Sequence, residues 1–509
     1  MMQLKLGADQ LTFAILEQCD RQALDVSFAP AAWDRLREGR TRLEHHVRNA
    51  EVLYGINTGF GHLKNTRIPR EKLEKLQENL LISHAVGVGD PIPRDITRWM
   101  LLFKANMLLL GYSGVRDVVV RTIGDWLKHD LIPVVPSRGS LGASGDLAPL
   151  AHLFLPMLHR GEIWTDDSPA PAAPILTAAG VAPVALQAKE GLALINGTQL
   201  MSAYGAKIAI RARQLLDLAD LIACMSLESA RGTDRHAHAA LHAARPHPGA
   251  VQSAANIRRH MNGSEILASH ANCDRVQDPY SLRCTPQVHG AVRDAIEHLA
   301  GILEREINSV TDNPVIFEDE IISGGNFHGA PLAYALDYAA IALTDLGNIS
   351  ERRTYLLLHG DDVVPKLLLS ETGLNSGFMI PQYTAAALVN ECKVYASPAS
   401  VDSIPSSLGQ EDHVSMGATS AVKCFEILSR VEQILSIEML CAAQGMDFHK
   451  PLLPGPGPAA ARDLIRETIP FATEDREFGI DIREAIRLIR DGSKLLQIAR
   501  NPSHHRGGT

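Results

Sequence analysis

The stretch GSLGASGDLAPLAH, from Gly139 to His152, places three glycines and two serines around an Ala-Ser-Gly tripeptide and then passes into an apolar run. Residues this small allow a backbone to bend tightly or to approach another group closely. Turns without any chemical function have the same composition. The stretch therefore gains its meaning from the rest of the chain.

The Ala-Ser-Gly tripeptide has one distinctive chemical possibility. In a sufficiently tight bend, the amide nitrogen of Gly145 can attack the carbonyl carbon of Ala143. Loss of two water molecules, one of which takes the Ser144 hydroxyl, leaves a five-membered ring with an exocyclic methylidene group. Glycine lets the nitrogen come close, serine provides the eliminated oxygen and alanine is small. Such a ring is an electrophile made from the chain itself, and it would activate an amine as a leaving group.

Apolar residues at helical spacing dominate the remainder of the sequence, whereas strand-like alternation is scarce. Three stripes illustrate the pattern: Val292, Ile296, Leu299, Leu303, Ile307 and Val310; Leu332, Leu336, Ala340, Leu343 and Leu346; and Phe425, Leu428, Val431 and Leu435. Long helices with one apolar face bury it against each other. The sequence therefore predicts a mainly α fold built on a long central helix bundle.

Composition narrows the class of protein. The 509 residues are 46% hydrophobic and 21% charged, with a formal net charge of −9. This acidic balance argues against a nucleic-acid or membrane-surface partner. The first ten residues lack the apolar segment of a secretory signal, and the seven cysteines include no CxxC pair, so we expect reduced thiols and a cytoplasmic location. Residues 168–188, with four prolines, are expected to form a loop or linker rather than a membrane span.

Two further chemistries are compatible with short motifs. Residues 142–146 nearly match the G-x-S-x-G turn of serine hydrolases, but Asp146 stands where the second glycine belongs, and that turn follows a strand of an α/β sheet. Within DRHAHAALHAARPH (residues 234–247), His238 and His242 have the i, i+4 spacing of two zinc ligands, without an HExxH glutamate. A polar histidine-rich helix or interface explains this second motif without a metal.

Several other stretches share one resemblance with the tripeptide and its surroundings. They are YGINTGFG (54–61), SHAVGVGD (83–90), INGTQ (195–199), QDPYSLRCTPQ (277–287), NSVTDNP (308–314), SGGNFHG (323–329), GLNSGFM (373–379) and QEDHVSM (410–416). Together with GSLGASGDLAPLAH, they resemble the motifs of the aromatic amino-acid ammonia-lyases, whose prosthetic group is 4-methylidene-imidazol-5-one. The blocks occur in order over about residues 50 to 420, a spread that chance does not produce.

The resemblance implies an ammonia-lyase/fumarase-like architecture. It implies an N-terminal region of about residues 1–200 that carries the self-made electrophile, followed by a helical bundle and C-terminal region of about residues 201–509. It also implies a homotetramer with active sites shared between subunits and an amino-acid substrate. The 4-methylidene-imidazol-5-one would form autocatalytically from Ala143, Ser144 and Gly145, with no external cofactor and no metal.

The resemblance also assigns roles to individual residues. Tyr280 matches the base that removes the β-proton of the substrate, and Tyr54 matches a proton relay to the departing ammonia. Arg283 would clamp the substrate carboxylate with two hydrogen bonds. Asn196 would help hold that carboxylate and the electrophile, and Gln277 would support the surroundings of the electrophile.

The remaining assignments concern the ring of the substrate. His84 and Glu411 would hold an imidazole, and Phe327 would line the ring pocket. An imidazole and a carboxylate suit a polar ring that has an N–H donor and a nitrogen acceptor better than they suit a phenyl ring. Apart from these roles, Asp146 is expected to cap and orient the tight turn through hydrogen bonds to the backbone.

Substrate and outcome stay open at this point. The pair Ser83-His84 and the glutamate in QEDH match the histidine-selective branch, for which the reaction is deamination of L-histidine to trans-urocanate and ammonia. Departures at SSLGQEDH (406–413), at 381–383 and at SGGNFHGAPLAYALD (323–337) keep tyrosine or phenylalanine as alternatives. An aminomutase of the same family uses the same electrophile. A catalytically silent scaffold is disfavoured, because the tripeptide and the Tyr280/Arg283 pair are intact.

Overall fold

The computed structural model describes residues 2–22, 24–48, 53, 55–59, 67–166, 168–491 and 493–502. Within these ranges the fold is mainly α, as predicted, and the α-helices are α1 (Phe13–Arg21), α2 (Pro30–Arg48), α3 (Leu73–His84), α4 (Arg94–Leu108), α5 (Asp117–Lys128), α6 (Leu147–Phe154), α7 (Ala172–Ala178), α8 (Glu190–Ile195), α9 (Gln199–Ser229), α10 (Ala239–Ala244), α11 (Pro248–Met261), α12 (Glu265–Ser269), α13 (Tyr280–Arg283), α14 (Thr285–Glu306), α15 (Ala330–Leu357), α16 (Met379–Tyr395), α17 (Gly417–Asp447), α18 (Pro456–Arg466), α19 (Phe478–Arg490) and α20 (Ser493–Arg500). Three of them, α2, α11 and α18, begin with a proline, whose fixed φ suits the first helical position.

Strands are short and form only two-stranded sheets in the described ranges. They are β1 (Met2–Leu6), β2 (Leu24–Phe28), β3 (Val88–Pro91), β4 (Pro136–Arg138), β5 (Glu162–Trp164), β6 (Pro169–Pro171), β7 (Val315–Ile316) and β8 (Ile321–Ile322). The pair β1–β2 is parallel, with Met2 opposite Leu24, and the pairs β3–β4, β5–β6 and β7–β8 are antiparallel. No extended sheet precedes residues 142–146 in the described chain, so a serine-hydrolase turn has no strand of an α/β sheet to stand on.

The chain divides into two compact units. Unit 1 comprises Met1–Lys207, Leu299–Asp337 and Pro398–Val422, and unit 2 comprises Ile208–His298, Tyr338–Ser397 and Lys423–Thr509. In unit 1 the helices α3, α6 and α8 pack on one another, and the tripeptide lies just before α6 in the chain. The division into residues 1–200 and 201–509 that the resemblance implies stays a prediction.

Unit 2 contains a buried polar network between long helices. Asp220 of α9 accepts hydrogen bonds from His289 (2.8 Å) and Arg293 (2.7 Å) of α14. Arg353 of α15 donates to both carboxylate oxygens of Glu438 on α17, at 2.5 and 2.9 Å. Because buried charges need partners, these contacts fix which helix faces meet inside the unit.

The predicted stripes lie in the core with local exceptions. Val292, Ile296, Leu299 and Leu303 are buried on α14, and the whole second stripe is buried on α15. Ile307 is buried just beyond the end of α14, whereas Val310 is half-buried. In the third stripe Phe425 is only half-buried, because the buried face of α17 is centred on neighbouring residues such as Cys424 and Ile427.

The expectation of a loop over residues 168–188 was wrong for its first half. β6 pairs with β5, and α7 follows it directly, with Ala172 and Leu176 buried. Pro169 and Pro171 sit in a two-stranded edge, and Pro174 falls in the first turn of α7, where a missing N–H costs little. In the described residues we find no helix whose length and apolarity would let it cross a membrane.

Candidate active site

The tripeptide lies in a tight loop between β4 and α6. Gly142 and Gly145 have φ of +66° and +77°, values that side chains disfavour. A Cβ on Gly145 would lie 2.1 Å from the carbonyl oxygen of Gly197, and one on Gly142 would lie 2.2 Å from Ser415 Oγ. Both positions therefore require glycine for conformation and for space.

Hydrogen bonds hold this loop on two sides. On one side the Met416 N–H donates to the Leu141 carbonyl at 2.9 Å. On the other, the Asp146 N–H donates to the Gly197 carbonyl at 2.7 Å, and Asn196 Nδ2 donates to the Ser144 carbonyl at 2.9 Å. The loop is thus fixed between the QEDHVSM and INGTQ segments, which are far away in sequence.

Ser144 and Glu411 meet directly. Ser144 Oγ donates to Glu411 Oε1 at 3.0 Å, and Ser406 Oγ donates to Glu411 Oε2 at 2.9 Å. Ala143 packs against Val414 and Met416 in a small apolar cluster. The carboxylate of the QEDH motif therefore stands beside the hydroxyl that the predicted cyclisation would eliminate.

His84 is the last residue of α3. Its Nδ1 lies 3.0 Å from Ser83 Oγ. Burial lowers the pKa of His84 below its usual range, against the opposing effects of a hydrogen bond with the Leu80 backbone and of the Glu411 charge. The ring is therefore mainly neutral near pH 7, able to accept or to donate one hydrogen bond.

The predicted role of Asp146 was wrong in one respect. It precedes α6, but its side chain makes no capping hydrogen bond to that helix. Instead Asp146 Oδ2 accepts from the backbone N–H groups of Leu200 (3.0 Å) and Met201 (3.2 Å), the free donors at the start of α9. Complete burial raises the pKa of Asp146 to about 7. Asp146 Oδ1 also accepts from Ser140 Oγ at 3.3 Å, so the residue ties the tripeptide loop to α9 and also bonds within its own loop.

Lys104 was missed by the sequence reasoning. It is fully buried on α4, and its Nζ donates to the carbonyls of Ala193 (3.1 Å) and Asn196 (2.6 Å) at the C-terminal end of α8. Burial lowers the pKa of Lys104 to about 7. A single lysine inside the apolar run WMLLFKANMLLLGY (99–112) was the sequence signal, since a lone charge on a helix buried on nearly all sides needs a partner.

The start of α8 has its own anchor. Lys189 Nζ contacts both carboxylate oxygens of Asp312, at 2.8 and 2.7 Å, and both side chains are fully buried. Glu190 accepts hydrogen bonds from the side chain of Arg116, the nearest at 2.7 Å. The short helix that leads to Asn196 is therefore fixed at each end by a buried lysine.

Gln277, Tyr280 and Arg283 belong to unit 2. The Tyr280 side chain is 71% exposed, and the Arg283 guanidinium lies 4.7 Å from the centre of its ring on α13. Gln277 is also exposed. Asp278 next to it is buried and accepts from the Thr233 N–H at 2.7 Å, which anchors the segment. These residues are close in sequence, and their predicted roles toward a substrate stay predictions.

The two remaining predicted site residues are Tyr54 and Phe327. Tyr54 lies outside the described residues. Phe327 is half-buried in the turn before α15. The adjacent His328 stacks on His413 of the QEDH motif, with ring centres 5.8 Å apart and an interplanar angle of 4°. The structure therefore links the NFHG and QEDH segments through this imidazole pair.

The i, i+4 spacing of His238 and His242 does not place the two residues on one helix. His238 precedes α10 and accepts from the Ala240 N–H at its start, at 3.2 Å. His242 Nε2 lies 3.0 Å from the carbonyl oxygen of His236. The described chain contains no group of three or more His, Cys, Asp or Glu side chains placed to hold a metal ion.

The mainly α fold and the Ala-Ser-Gly loop agree with the family that the sequence motifs resemble, and a comparison with known families gives the same result. The sequence model described as aromatic amino acid lyase matches residues 11–467. The chain therefore belongs to the aromatic amino acid lyase family, as the motif resemblance predicted.

Individual proteins to which the chain is similar have more specific names than the family. The histidine ammonia-lyases of Gloeobacter violaceus and Deinococcus radiodurans are 49% and 50% identical to it. These matches cover 93% and 91% of this chain and 93% and 89% of the two relatives. The crystal structure of histidine ammonia-lyase from Trypanosoma cruzi superposes with a TM-score of 0.89 at 40% identity, covering 98% of this chain and 96% of that one. Tyrosine aminomutase from Streptomyces globisporus gives 0.92 at 34% identity, covering 98% and 99%.

Proposed function

We propose that this chain is a carbon–nitrogen lyase that removes ammonia from L-histidine and forms trans-urocanate. The observation that carries the proposal is the placement of Glu411 beside the tripeptide loop, 3.0 Å from the Ser144 hydroxyl, with the charge of Glu411 also acting on His84. A carboxylate beside the tripeptide and a neutral imidazole on which its charge acts match the polar ring of histidine. The names of relatives that are 49% and 50% identical support the same substrate.

The tripeptide fits the prosthetic group of the family. Cyclisation forms a bond between the Gly145 nitrogen and the Ala143 carbonyl carbon, and one water leaves with the oxygen of that carbonyl. The second water takes the Ser144 hydroxyl and a proton from the Ser144 Cα, which leaves the methylidene group. Gly145 has the positive φ and the missing side chain that such a bend requires, and Asn196 Oδ1 is a buried acceptor without a hydrogen-bond partner in the described chain.

The finished ring supplies an electrophilic carbon that makes ammonia a better leaving group. The residues of the chain have the remaining tasks. Tyr280 takes the proton from Cβ of the substrate, and the electron pair of that C–H bond forms the Cα–Cβ double bond as the Cα–N bond breaks. Arg283 holds the carboxylate with paired hydrogen bonds, Asn196 helps hold that carboxylate and the electrophile, and Gln277 supports the surroundings of the electrophile. Tyr54 returns a proton to the departing amine.

Glu411 and His84 select the ring of the substrate in this proposal. An imidazole offers one N–H donor and one nitrogen acceptor, which a carboxylate and a neutral histidine can both satisfy. A phenyl or phenol ring would leave part of these groups unpaired, at about 1–3 kcal/mol for each buried polar group. Phe327 would pack against the ring from the turn before α15.

Tyrosine as substrate and an aminomutase outcome form the second candidate. The observation behind it is the structural likeness to a tyrosine aminomutase, with a TM-score of 0.92. The lower identity of that protein, 34% against 49% and 50% for the two histidine ammonia-lyases, ranks it second. A homotetramer with shared active sites completes the proposal, and a cytoplasmic location stays a prediction from the cysteine pattern.

One experiment separates these candidates. The purified chain is incubated with L-histidine, L-tyrosine or L-phenylalanine, and the product is identified by its ultraviolet spectrum and by chromatography. Urocanate with one equivalent of ammonia, formed at a kcat/KM well above that for the other two substrates, is the expected result. A β-amino acid would indicate an aminomutase. A preference for tyrosine would contradict the histidine assignment and leave the family unchanged.

A further inference from the structure

The ammonium of Lys104 lies at the C-terminal end of α8, and no step of the proposed reaction uses it. Its side chain is fully buried, and it donates to the carbonyls of Ala193 and Asn196 rather than pairing directly with a carboxylate. Buried lysine is costly unless its ammonium is well satisfied. We therefore expect the buried ammonium to have a role that offsets this cost.

The two carbonyls lead directly to the tripeptide. Asn196, whose carbonyl lies 2.6 Å from Lys104 Nζ, donates from its own Nδ2 to the Ser144 carbonyl at 2.9 Å. The next residue, Gly197, pairs with Gly145 in an isolated bridge and accepts from the Asp146 N–H at 2.7 Å. Residues 196 and 197 are thus the surface against which the Ala-Ser-Gly bend is formed, and Lys104 holds their backbone from behind.

We propose that Lys104 is a positioning residue for cyclisation of Ala143-Ser144-Gly145: its ammonium fixes the Asn196–Gly197 backbone that compresses the tripeptide bend. This inference rests on the proposed self-made ring. Lys104 touches neither the tripeptide nor the substrate, so its effect passes through the hydrogen bonds of Asn196 and Gly197.

The chemistry of the side chain explains why lysine stands there. An ammonium is a compact charge with three donors that can point to two carbonyls in different directions, whereas the planar guanidinium of arginine has a fixed fork and a larger volume. Cations also interact favourably with the free carbonyls at a helix C-terminus, which is where Ala193 lies on α8. Glutamine keeps two donors but loses the charge.

Lys189 provides a matched control. It is also a fully buried lysine, but it directly precedes α8 and its ammonium pairs with Asp312. Lys104→Gln and Lys189→Gln each remove a buried ammonium, and Lys189→Gln in addition leaves the buried Asp312 carboxylate without its ion pair, so it is the harsher loss for the fold. A purely structural role predicts that both variants lose thermal stability without changing the tripeptide chemistry.

The experiment measures the intact mass and the thermal midpoint of the soluble, folded wild type and of both variants. We expect the wild type and Lys189→Gln to be lighter than their sequence masses by two waters. Most Lys104→Gln molecules should keep the full mass at a comparable midpoint. Equal cyclisation in the two variants, whether complete or impaired, would overturn the role of Lys104. A wild type at full sequence mass would contradict the proposed ring itself.

A second pair covers the case in which Lys104→Gln does not fold. Lys104→Arg and Lys189→Arg keep the positive charge and change only its shape. The proposal requires the uncyclised fraction to be greater in Lys104→Arg than in Lys189→Arg, because a guanidinium cannot hold the two carbonyls in the same positions. Equal fractions would overturn it.

Discussion

Ser144 combines a structural contact with a chemical one. Its hydroxyl donates to Glu411 in the uncyclised chain, yet the same oxygen must leave if the ring forms. Ser144→Ala removes that oxygen, so we expect the variant to keep its full sequence mass and to lose turnover to background, with little change in thermal midpoint. Intact-mass measurement and an ammonia assay test both parts. A Ser144→Ala chain that turns over near the wild-type rate would contradict the assignment.

Glu411 is the residue on which substrate choice depends most. Glu411→Gln keeps the volume and removes the charge, and a hydrogen bond to a charged group contributes about 1.5–3 kcal/mol. We therefore expect kcat/KM for L-histidine to fall about 10- to 100-fold, since about 1.4 kcal/mol corresponds to a factor of ten. The value for L-phenylalanine should fall less or rise. Glu318→Gln, at an exposed position, is the control. An unchanged ratio between the two substrates would exclude Glu411 as the selective group.

The sequence predicted the residues whose role follows from residue type and motif, but not those whose role depends on contacts with residues far away in the chain. The tripeptide and Glu411 were found because their chemistry is tied to residue type and motif. Asp146 binds the start of α9 through a contact between residues that are 54 positions apart in the sequence. Lys104 supports Asn196 through a contact across 92 positions. No local pattern encodes such a contact. A lysine within an apolar run shows only that some partner exists.

At the scale of elements, periodicity was sufficient to predict long helices but not their closest contacts. The stripes gave the buried faces of α14 and α15. They did not show that α11 and α14 meet at glycines, where a Cβ on Gly290 would lie 2.3 Å from the Ala250 nitrogen. Likewise residues 168–188 were expected to be a loop, because proline at a strand edge or in a first helical turn does not differ in composition from proline in a linker.

The glycines of α14 give a test within one helix. Gly290→Ala forces a side chain into backbone atoms of α11, and overpacking of this kind costs about 1–3 kcal/mol. Nothing lies within 4 Å of the position that a Cβ would take at Gly301, so Gly301→Ala should stabilise the protein by about 0.5–1 kcal/mol. Thermal unfolding at one scan rate measures both. Shifts of the same sign in the two variants would contradict the proposed packing.

The contact between α11 and α18 gives a pH-dependent test. His260 is buried against Gly457, and burial, together with the charge of Arg259, lowers its pKa to about 4 against the opposing charge of Asp220. A lowered pKa means that the folded state resists protonation, so stability is retained above pH 6.5 and lost as the pH falls from there toward 4. At pH 5 this loss is about 2 kcal/mol.

His260→Gln removes the titrating group, so its thermal midpoint should fall less than that of the wild type between pH 7 and pH 5. The comparison uses the difference between the two slopes, since Gln also changes packing at every pH. His129→Gln, at a histidine outside this contact, should keep the wild-type slope. Parallel curves for the wild type and His260→Gln would show that His260 does not control acid stability.

At the scale of the whole molecule, the proposed reaction needs both the tripeptide and the Tyr280 base, and these two groups differ strongly in their exposure to solvent in the single chain. The tripeptide is enclosed by its own unit, with Ala143 buried, whereas the Tyr280 side chain is 71% exposed. A general base that works at a substrate is usually shielded from water when it acts. Active sites shared between subunits of the proposed homotetramer would supply that shielding, with the base of one chain serving the electrophile of another.

Complementation between inactive variants tests this arrangement. Ser144→Ala lacks the electrophile, and Tyr280→Phe lacks the base, for which we expect a fall in kcat of about 10²–10⁴. If each active site takes the two groups from different chains, co-expression in equal amounts restores about a quarter of wild-type activity, because about a quarter of all sites receive both intact groups in a symmetric oligomer. If both groups come from one chain, every site in the mixture lacks one of them, and activity stays at the average of the two variants. Purified variants mixed without exchange of subunits give the baseline.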